Sequence, residues 1–555
     1  MKTKILLLAI LVSFTACAQQ KKMIQNPILT GFNPDPSILR VDDNYYVATS
    51  TFMWFPGVQI HHSKDLRNWK LLTHPLTRRS QLNMDGARTS EGVWAPCLTH
   101  DGDKFHLIYT NVKSWEGAGK FGTNNDTHNY LVTADNIEGP WSEPIYMNSS
   151  GFDPSLFHDD DGKKYFMNML WDYREGKERF SGVMLQEYDQ NKKMLVGEAK
   201  NVWKGSGDFG TEAPHIYKHG DYYYLMVAEG GTEWWHKVIL ARSKNIWGPY
   251  ETDPQGPCIT SDKRPENYLQ KAGHGSLVIT QKGEPYVAHL VGRPITVDED
   301  PKRRCTLGRE TAIQKMVWTK DGWLRMADGS NSPKQFVELP KGLKTHKFKK
   351  ENPKEDFSDD KLSVHMNSPR LPITEEWASL KENKGKLTIR GRESLISNHD
   401  LSLIARRVKH FKSQSTTAVD FEPKNFQELA GLVAYYDEYC HYALTITYDE
   451  EKGKILRISQ NDKGKYNEYL EDIVAIPSNK TVHLRVNLDY RKLQYSYSLD
   501  GKNWNNIGPV LDATILSDDY NGLHFTGAFT GMFVGDYRYQ RIKAEFDYFE
   551  YKELK

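Results

Sequence analysis

The chain has 555 residues, and its 73 basic and 72 acidic residues leave a formal net charge of +1. A balance this close gives no reason to expect nucleic acid or an anionic membrane surface as a partner. The length predicts more than one domain. The 14 Trp, 30 Tyr and 22 Phe residues suit either the recognition of sugar rings or the packing of a large β core.

Residues 1–17 predict a lipoprotein-type signal peptide. Two lysines precede an apolar run that is too short to span a bilayer, and small residues precede Cys17. This order resembles a bacterial lipoprotein signal, in which Cys17 would carry lipid. Ordinary secretion, with cleavage near Ala16 or Ala18, is the alternative. We therefore expect an exported protein, periplasmic or anchored to the outer membrane, that meets the membrane only through a lipid on Cys17.

Five segments within residues 24–345 repeat one pattern, in which a short apolar strand, a polar turn and an aromatic-rich strand follow one another. They are DPSILRVDDNYYVATS, APCLTHDGDKFHLIYT, DPSLFHDDDGKKYFMN, APHIYKHGDYYYLMVA and HGSLVITQKGEPYVAH. Successive segments lie 60, 58, 60 and 61 residues apart, counted between Pro36, Pro96, Pro154, Pro214 and Gly275. Each unit has room for about four strands, so the repeat predicts a five-bladed β-propeller over residues 24–345.

The first strand of each propeller blade lines the central channel, so equivalent residues of the five repeats should face one another. One such position holds Asp35, Ala95, Asp153, Ala213 and His274. Trp94 and Glu212 stand one residue earlier in their repeats. We therefore expect three carboxyls, a Trp and a His at one end of the channel. Neighbouring carboxyls push their pKa values apart, and two carboxyls that flank a sugar ring are the equipment of glycoside hydrolysis.

The repeat pattern ends near residue 345. Residues 346–355 are polar and basic without strand periodicity, and they predict a linker. Alternating strands separated by turn signals return over residues 356–555, among them KLTIRGR, YALTITYD and TVHLRVNLDY. This second pattern predicts a β-sandwich domain.

The chain resembles glycoside hydrolase family 43, in its two-domain β-xylosidase and α-L-arabinofuranosidase type. The resemblance rests on NPILTGFNPDPSI, GVWAPCLTHDGDKFHLIYT, GFDPSLFHDDDGKKY, GTEAPHIYK, AEGGTEWWH, AGHGSLV and CTLGRETAIQKMVW. Toward the C-terminus, ARRVKHF, AGLVAYYDEYCHYAL and FTGAFTGMFVGD resemble the second domain of these enzymes. The resemblance implies an all-β protein, a five-bladed β-propeller followed by a concanavalin-like β-sandwich.

The resemblance also implies roles for individual residues. In an inverting hydrolase of this type, Asp35 is by position the general base and Glu212 the general acid, while Asp153 orients the acid and raises its pKa. The expected substrate-binding residues are Phe52, Trp94, Thr232, Arg309 and, in a sandwich loop that closes one side of the site, Phe529.

Simpler structural explanations compete with three of these implied roles. Arg309 could form a buried ion pair with Glu310 or Asp300, and Phe529 could belong to a packed core. His274 matches a histidine on the channel axis. We expect it to have a structural hydrogen-bonding role, with no cofactor required, and a bound calcium ion is the alternative.

These features predict an exo-acting inverting hydrolase that releases terminal β-D-xylose, α-L-arabinofuranose or both from xylan-derived oligosaccharides. One alternative is an arabinan-degrading hydrolase that cuts internally, which a second domain over one end of the site disfavours. Another is a non-catalytic sugar-binding lipoprotein, which has no need for three carboxyls. The expected partners are therefore pentose-containing oligosaccharides and not nucleic acid.

Overall fold

The computed structural model describes residues 23–115, 124–297, 300–522 and 524–555. The predicted signal peptide and Cys17 lie outside the described residues. Within these ranges the regular structure is β-strand, with two short 3-10 turns at Leu470–Asp472 and Ala513–Ile515. No helix in the described part of the chain is long and apolar enough to cross a membrane.

The N-terminal half forms five antiparallel sheets, as the repeat predicted. Each sheet takes its strands in chain order, and in the fourth sheet Ile259–Thr260 is added beside the third strand. The strands of blades 1 and 2 are Ser37–Val41, Asn44–Thr49, Gln59–Ser63, Lys70–Thr73, Gly92–His100, Phe105–Ser114, Asp126–Ala134 and Ile145–Asn148. Those of blades 3 to 5 are Ser155–His158, Lys164–Trp171, Phe180–Asp189, Met194–Trp203, Glu212–His219, Tyr222–Glu229, Lys237–Ser243, Glu251–Thr252, Gln270–Ile279, Pro285–Gly292, Arg309–Trp318 and Leu324–Met326.

The ring of blades is closed by the start of the described chain. Met23–Gln25 pairs antiparallel with Phe336–Glu338, which follows blade 5. Leu29 and Thr311, in the third strand of blade 5, exchange two backbone hydrogen bonds of 3.2 Å. The segment that leads into blade 1 is therefore held against blade 5, which keeps the five inner strands around one channel.

The C-terminal domain is a sandwich of two antiparallel sheets. One sheet contains Lys354–Glu355, Ala378–Ser379, Leu387–Arg390, Lys412–Asp420, Val482–Asp489, Lys492–Ser498, Asn505–Asp512 and Lys543–Glu553. The other contains Leu403–Arg407, Glu428–Tyr435, Cys440–Asp449, Gly453–Asp462, Lys465–Glu468, Val474–Ala475 and Phe529–Asp536. Lys354–Glu355 pairs with the last strand of the chain, so the sandwich begins two residues before the boundary predicted at residue 356.

The sandwich is docked on the propeller through strand pairing and aromatic stacking. Trp54–Phe55 of the propeller pairs with Ser368–Pro369 of the sandwich. The Trp54 ring stacks on Phe529 at a centroid distance of 3.5 Å, and its indole N–H donates to the Thr526 hydroxyl at 3.0 Å. The remaining short strands, Ile295–Val297 and Asp300–Arg304, form a hairpin between two strands of blade 5.

Candidate active site

The backbone has the same unusual conformation at one repeat position in every blade, within or just before the inner strand. The φ angles are 54°, 36°, 54°, 53° and 52° at Asp35, Ala95, Asp153, Ala213 and His274. Residues other than glycine rarely adopt positive φ, and such conformations persist only where the surrounding structure holds them. Because the conformation recurs at one repeat position in every blade, the fold presents five equivalent side-chain positions at this end of the channel.

A cavity of about 410 Å³ opens at this end of the channel. It is lined by eight residues that the sequence predicted, namely Asp35, Phe52, Trp94, Asp153, Glu212, Thr232, His274 and Arg309. The three carboxyl residues are buried. The structure therefore brings together the predicted carboxyls and the predicted aromatic walls.

The carboxylate of Asp35 is held from several sides. The Ser50 hydroxyl donates to its Oδ2 at 2.7 Å and itself accepts the Ala95 N–H at 2.7 Å. Arg309 Nη1 donates to Oδ1 at 3.3 Å, and Nδ1 of His274 lies 3.6 Å from the same oxygen. Blades 1, 2 and 5 thus all contribute to the orientation of one carboxylate.

Asp153 and Glu212 are the other two buried carboxyls of the cavity, and their charges are less well compensated than that of Asp35. The Ala213 N–H donates to Asp153 Oδ2 at 3.1 Å. Burial, followed by the charge of Asp35, raises the pKa of Glu212 to about 8. Burial and the neighbouring Glu212 raise the pKa of Asp153 well above its ordinary value. Glu212 therefore retains its proton at neutral pH.

Arg309 does not form the ion pair with Glu310 that the sequence left open. Glu310 is instead bound by Arg293, whose Nε and Nη2 lie 2.5 and 2.7 Å from its two carboxylate oxygens. The Arg309 guanidinium lies 5.0 Å from the ring centroids of both Phe52 and Phe525. Arg309 is thus placed between the wall of the cavity and the carboxylate of Asp35.

The expectation that Phe529 lines the site is wrong. Phe529 begins a sandwich strand and is fully buried against Trp54, outside the cavity. Phe525, four residues earlier, lines the cavity instead, and its N–H donates to the Ser90 hydroxyl at 2.8 Å. The predicted residue lies four positions too late in the chain. The sandwich loop that reaches the propeller ends before the strand Phe529–Asp536 begins, and the first side chain of that strand packs in the core between the domains.

Two family models match the chain in the order of its two domains. Glycosyl hydrolases family 43 matches residues 24–324, and the β-xylosidase C-terminal concanavalin A-like domain matches residues 354–552. The chain belongs to glycosyl hydrolases family 43.

Similar proteins extend over nearly the whole length of this family 43 chain. A beta-xylosidase of Bacillus subtilis (strain 168) is 48% identical over 96% of this chain and 99% of that protein. A xylosidase/arabinosidase 43B of Humicola insolens is 47% identical over 96% of this chain and 98% of that protein. The crystal structure of a xylan beta-1,4-xylosidase from Bacillus halodurans C-125 has 52% identity and a TM-score of 0.93, covering 96% and 100% of the two chains.

Several cavity residues of this family 43 protein were not identified from the sequence. The aromatic ones are Trp115, Phe152, Phe180, Phe209, Trp235 and Phe525. Phe152 precedes Asp153 as Trp94 precedes Ala95 and Glu212 precedes Ala213, so the repeat alignment contained the signal for it. The other five do not occupy an aligned repeat position, so the repeat could not predict that they line the cavity.

Two of these aromatic residues stand at the mouth of the family 43 cavity. Phe209 is 52% exposed and Trp235 is 48% exposed. Their loops are joined by a hydrogen bond of 2.8 Å from the Gly230 N–H to the Phe209 carbonyl. Gly230 has a φ of 91°, and a Cβ there would lie 2.7 Å from the Trp235 carbonyl oxygen. Exposed aromatic faces held in this way suit stacking against a sugar ring.

His274 lies beside Asp35 in the cavity of this family 43 protein. Its nearest carboxylate is Asp35, and burial lowers the pKa of its imidazole, which favours the neutral ring. Among the described residues, no three His, Cys, Asp or Glu side chains are grouped as a metal-ligand set.

Proposed function

We propose that this family 43 protein is an exo-acting inverting glycosidase that removes terminal β-D-xylose, α-L-arabinofuranose or both from xylan-derived oligosaccharides. One observation carries the proposal: three buried carboxyls share a cavity that is bounded on one side by Phe525 of the sandwich. The cavity volume of about 410 Å³ is within the usual range for small-molecule sites. The names of the B. subtilis and H. insolens relatives, a beta-xylosidase and a xylosidase/arabinosidase, support the choice of pentose substrates.

In the proposed reaction Glu212 is the general acid. Inversion requires one carboxyl that gives a proton to the departing oxygen while water attacks the opposite face of the sugar ring. With its pKa raised to about 8 by burial, Glu212 holds that proton at neutral pH. It can therefore protonate a leaving sugar hydroxyl, which departs poorly as an alkoxide.

Asp35 is the proposed general base. It faces the same cavity as Glu212, and it accepts hydrogen bonds from the Ser50 hydroxyl and from Arg309. These contacts fix the direction of the carboxylate, so one of its oxygens can take a proton from the attacking water. Bond formation from water to the anomeric carbon and loss of the protonated leaving group complete the step.

Asp153 is proposed to position the acid. The Ala213 N–H that it accepts belongs to the residue directly after Glu212, so Asp153 fixes the backbone that carries the acid. The pKa of Glu212 itself is raised by burial and by the charge of Asp35, so the role proposed for Asp153 is to hold this backbone in place. Asp153 is thus expected to act through Glu212.

The remaining cavity residues are proposed to bind the terminal sugar. Phe52 and Trp94, whose ring centroids are 5.9 Å apart, supply apolar faces, and Arg309 and Thr232 supply polar groups for the hydroxyls. Phe525 from the sandwich limits the site to the end of a chain. This boundary favours an exo-acting enzyme over one that cuts arabinan internally, because an internal cut requires a groove open at both ends.

Export and lipid attachment at Cys17 belong to the same proposal. They are supported by the lysines, the apolar run and the small residues at the start of the sequence. An extracytoplasmic enzyme of this kind would act on oligosaccharides before their uptake. The proposed reaction needs no cofactor, and no step in it involves a cation beside His274.

A panel of aryl pentosides tests the proposed function. The purified protein should hydrolyse 4-nitrophenyl β-D-xylopyranoside, 4-nitrophenyl α-L-arabinofuranoside or both, and Asp35→Asn should lower this activity by about 10²- to 10⁴-fold. With xylotetraose, chromatography should detect xylose and xylotriose first. Early xylobiose as the main product would contradict exo-action, and inactivity on every pentoside would contradict the function itself.

A further inference from the structure

Two adjacent aspartates of the sandwich contact two cations of blade 5. Asp518 Oδ2 lies 3.7 Å from Nε of Arg309, and Asp519 Oδ1 lies 2.5 Å from Nζ of Lys271. All four of these side chains are at most about one-tenth exposed. The sandwich therefore contributes charge to the cavity end of the propeller, in addition to the aromatic side chain of Phe525.

Arg309 stands between a carboxylate of each domain. Its Nη1 faces Asp35 at 3.3 Å on the propeller side, and its Nε faces Asp518 on the sandwich side. Its Nη2 donates to the Phe525 carbonyl at 3.4 Å. The guanidinium is planar, so a carboxylate that fixes the Nε edge also fixes where the two terminal nitrogens point.

Asp518 is itself fixed within the sandwich. The Tyr436 hydroxyl donates to its Oδ1 at 2.9 Å and accepts the Thr526 N–H at 3.3 Å. Oδ2 of Asp518 and Nε of Arg309 face each other at an ion-pair distance of 3.7 Å, and neither atom has a hydrogen-bond partner in the described part of the chain. A buried carboxylate oxygen with one cation in front of it is a costly arrangement unless that contact is used.

We propose that Asp518 is a positioning residue for the propeller active site, whose carboxylate holds the Arg309 guanidinium in the orientation that faces Asp35 and the terminal sugar. This inference rests on the proposed function, because the effect is expressed on the sugar that Arg309 contacts. The proposed role of Asp518 also means that the sandwich contributes to the site in two ways. The domain closes the cavity and in addition orients a propeller arginine.

The effect of Asp518 on kcat/KM should depend on its charge, and not on its shape, and should therefore vary with pH. The groups that face it are Arg309 and Lys271 from blade 5, the Cys305 thiol, the Tyr436 hydroxyl and its neighbour Asp519. Burial outweighs the two cations and raises the pKa of Asp518 to about 7. The carboxylate form is therefore expected above neutral pH and the neutral form below it.

The test compares Asp518→Asn with the wild type across pH. Asn keeps the size and the acceptor for Tyr436 but has no charge for Arg309. The ratio of wild-type to variant kcat/KM should be near one at pH 5.5 and should rise to about tenfold above pH 8, the order expected when one charge-assisted contact is lost. A ratio that is flat across pH would overturn the proposal.

Glu438→Gln is the matched control. Glu438 is another buried sandwich carboxylate at the domain interface, paired with Arg370 at 3.1 Å and accepting the Thr89 N–H of the propeller at 2.8 Å. Its loss should lower the melting temperature while the kcat/KM ratio stays flat across pH. A rising ratio in this control as well would mean that a loosened interface, and not Asp518, is responsible.

Two further measurements separate the possible outcomes. In an Arg309→Lys background, Asp518→Asn should have little further effect, because the residue acts through the guanidinium. A crystal structure of Asp518→Asn should show Arg309 rotated away from Asp35, and this result does not depend on any activity. If the wild type is inactive on pentosides, the proposed function fails. An Arg309 that is not rotated in the variant structure overturns the positioning role separately.

A second variant covers the case in which Asp518→Asn does not fold. Tyr436→Phe should then lower kcat/KM about threefold, and an unchanged value would overturn the proposal.

Discussion

The Ser50 hydroxyl donates a hydrogen bond of 2.7 Å to Oδ2 of Asp35 and accepts one of 2.7 Å from the Ala95 N–H. It thereby ties the proposed base in blade 1 to the equivalent repeat position in blade 2. The serine is fully buried and is the last residue of the first repeat segment, DPSILRVDDNYYVATS, at the opposite end of that segment from Asp35. Its contact makes the orientation of Asp35 depend on the packing of two blades.

Asp35→Asn and Ser50→Ala should differ in size of effect. Removal of the base should lower kcat by about 10²- to 10⁴-fold on all substrates. Removal of the serine should cost about tenfold or less, because one hydrogen bond to a charged group is lost while the base remains. Steady-state kinetics on an aryl xyloside measures both, and a nearly wild-type Asp35→Asn would contradict the assignment.

Sequence reasoning found the residues that the repeat aligns. Asp35, Asp153 and His274 share one position in the repeat, and Glu212 precedes it, so a single periodic pattern predicted that they meet. The left-handed backbone at that position explains why two successive residues can both reach the cavity. Proximity of this kind follows from symmetry and needs no knowledge of the loops.

The loops and the domain interface could not be predicted in the same way. Phe209 lies in the link between blades 3 and 4 and Trp235 in the loop between the second and third strands of blade 4, and neither is part of an aligned repeat segment. Phe525 and Asp518 belong to another domain, whose register on the propeller is set by packing around Trp54 and Phe529. Their placement depends on contacts between residues that are hundreds of positions apart in the chain, and the local sequence pattern does not predict such contacts.

Glu212→Gln should separate substrates by their need for a proton. A sugar or methanol leaving group requires protonation, whereas dinitrophenolate departs unaided. The variant should therefore lose about 10²- to 10⁴-fold more activity on xylobiose than on a dinitrophenyl xyloside. Equal losses on the two substrates would show that Glu212 is not the acid, and Asp153→Asn should show the same separation in a weaker form.

The raised pKa of Glu212 also links stability to pH. An ordinary glutamate titrates near 4.5, whereas burial raises the pKa of Glu212 to about 8 in the folded protein. Between these pH values the folded state binds more protons than the unfolded state, so the free energy of unfolding falls as pH rises. Glu212→Gln removes this dependence.

The melting temperature of Glu212→Gln relative to the wild type should therefore increase from pH 5 to pH 8. Differential scanning calorimetry measures it, and Glu233→Gln, at another glutamate of the same cavity, is the control that should track the wild type. In the wild type, kcat/KM should fall as pH rises through about 8, because the acid loses its proton. A variant no more stable than the wild type at pH 8 would argue against an unfavourably buried carboxyl.

The aromatic residues at the mouth should bind the sugar that leaves. Trp235→Ala and Phe209→Ala should each raise KM for xylobiose about 2- to 10-fold, the range expected for one aromatic contact. KM for methyl β-D-xyloside, which has no second sugar, should change little. Tyr146→Ala is a suitable control, since Tyr146 is 53% exposed on the outer strand of blade 2 and does not line the cavity. Equal KM changes on both substrates would show that the two side chains do not contact the leaving sugar.

The stereochemistry of the first product tests the roles of Asp35 and Glu212 together. In an inverting reaction the base and the acid act on opposite faces of the sugar with a water between the base and the anomeric carbon, whereas in a retaining reaction the second carboxylate bonds to that carbon. Asp35 and Glu212 come from blades 1 and 4 of the ring and both line the cavity, so we expect the wider separation that admits a water. Hydrolysis of a β-xyloside should therefore release α-xylose first, and proton NMR recorded before mutarotation should detect it. If β-xylose appears first, Asp35 is a nucleophile and its assignment as the base is wrong.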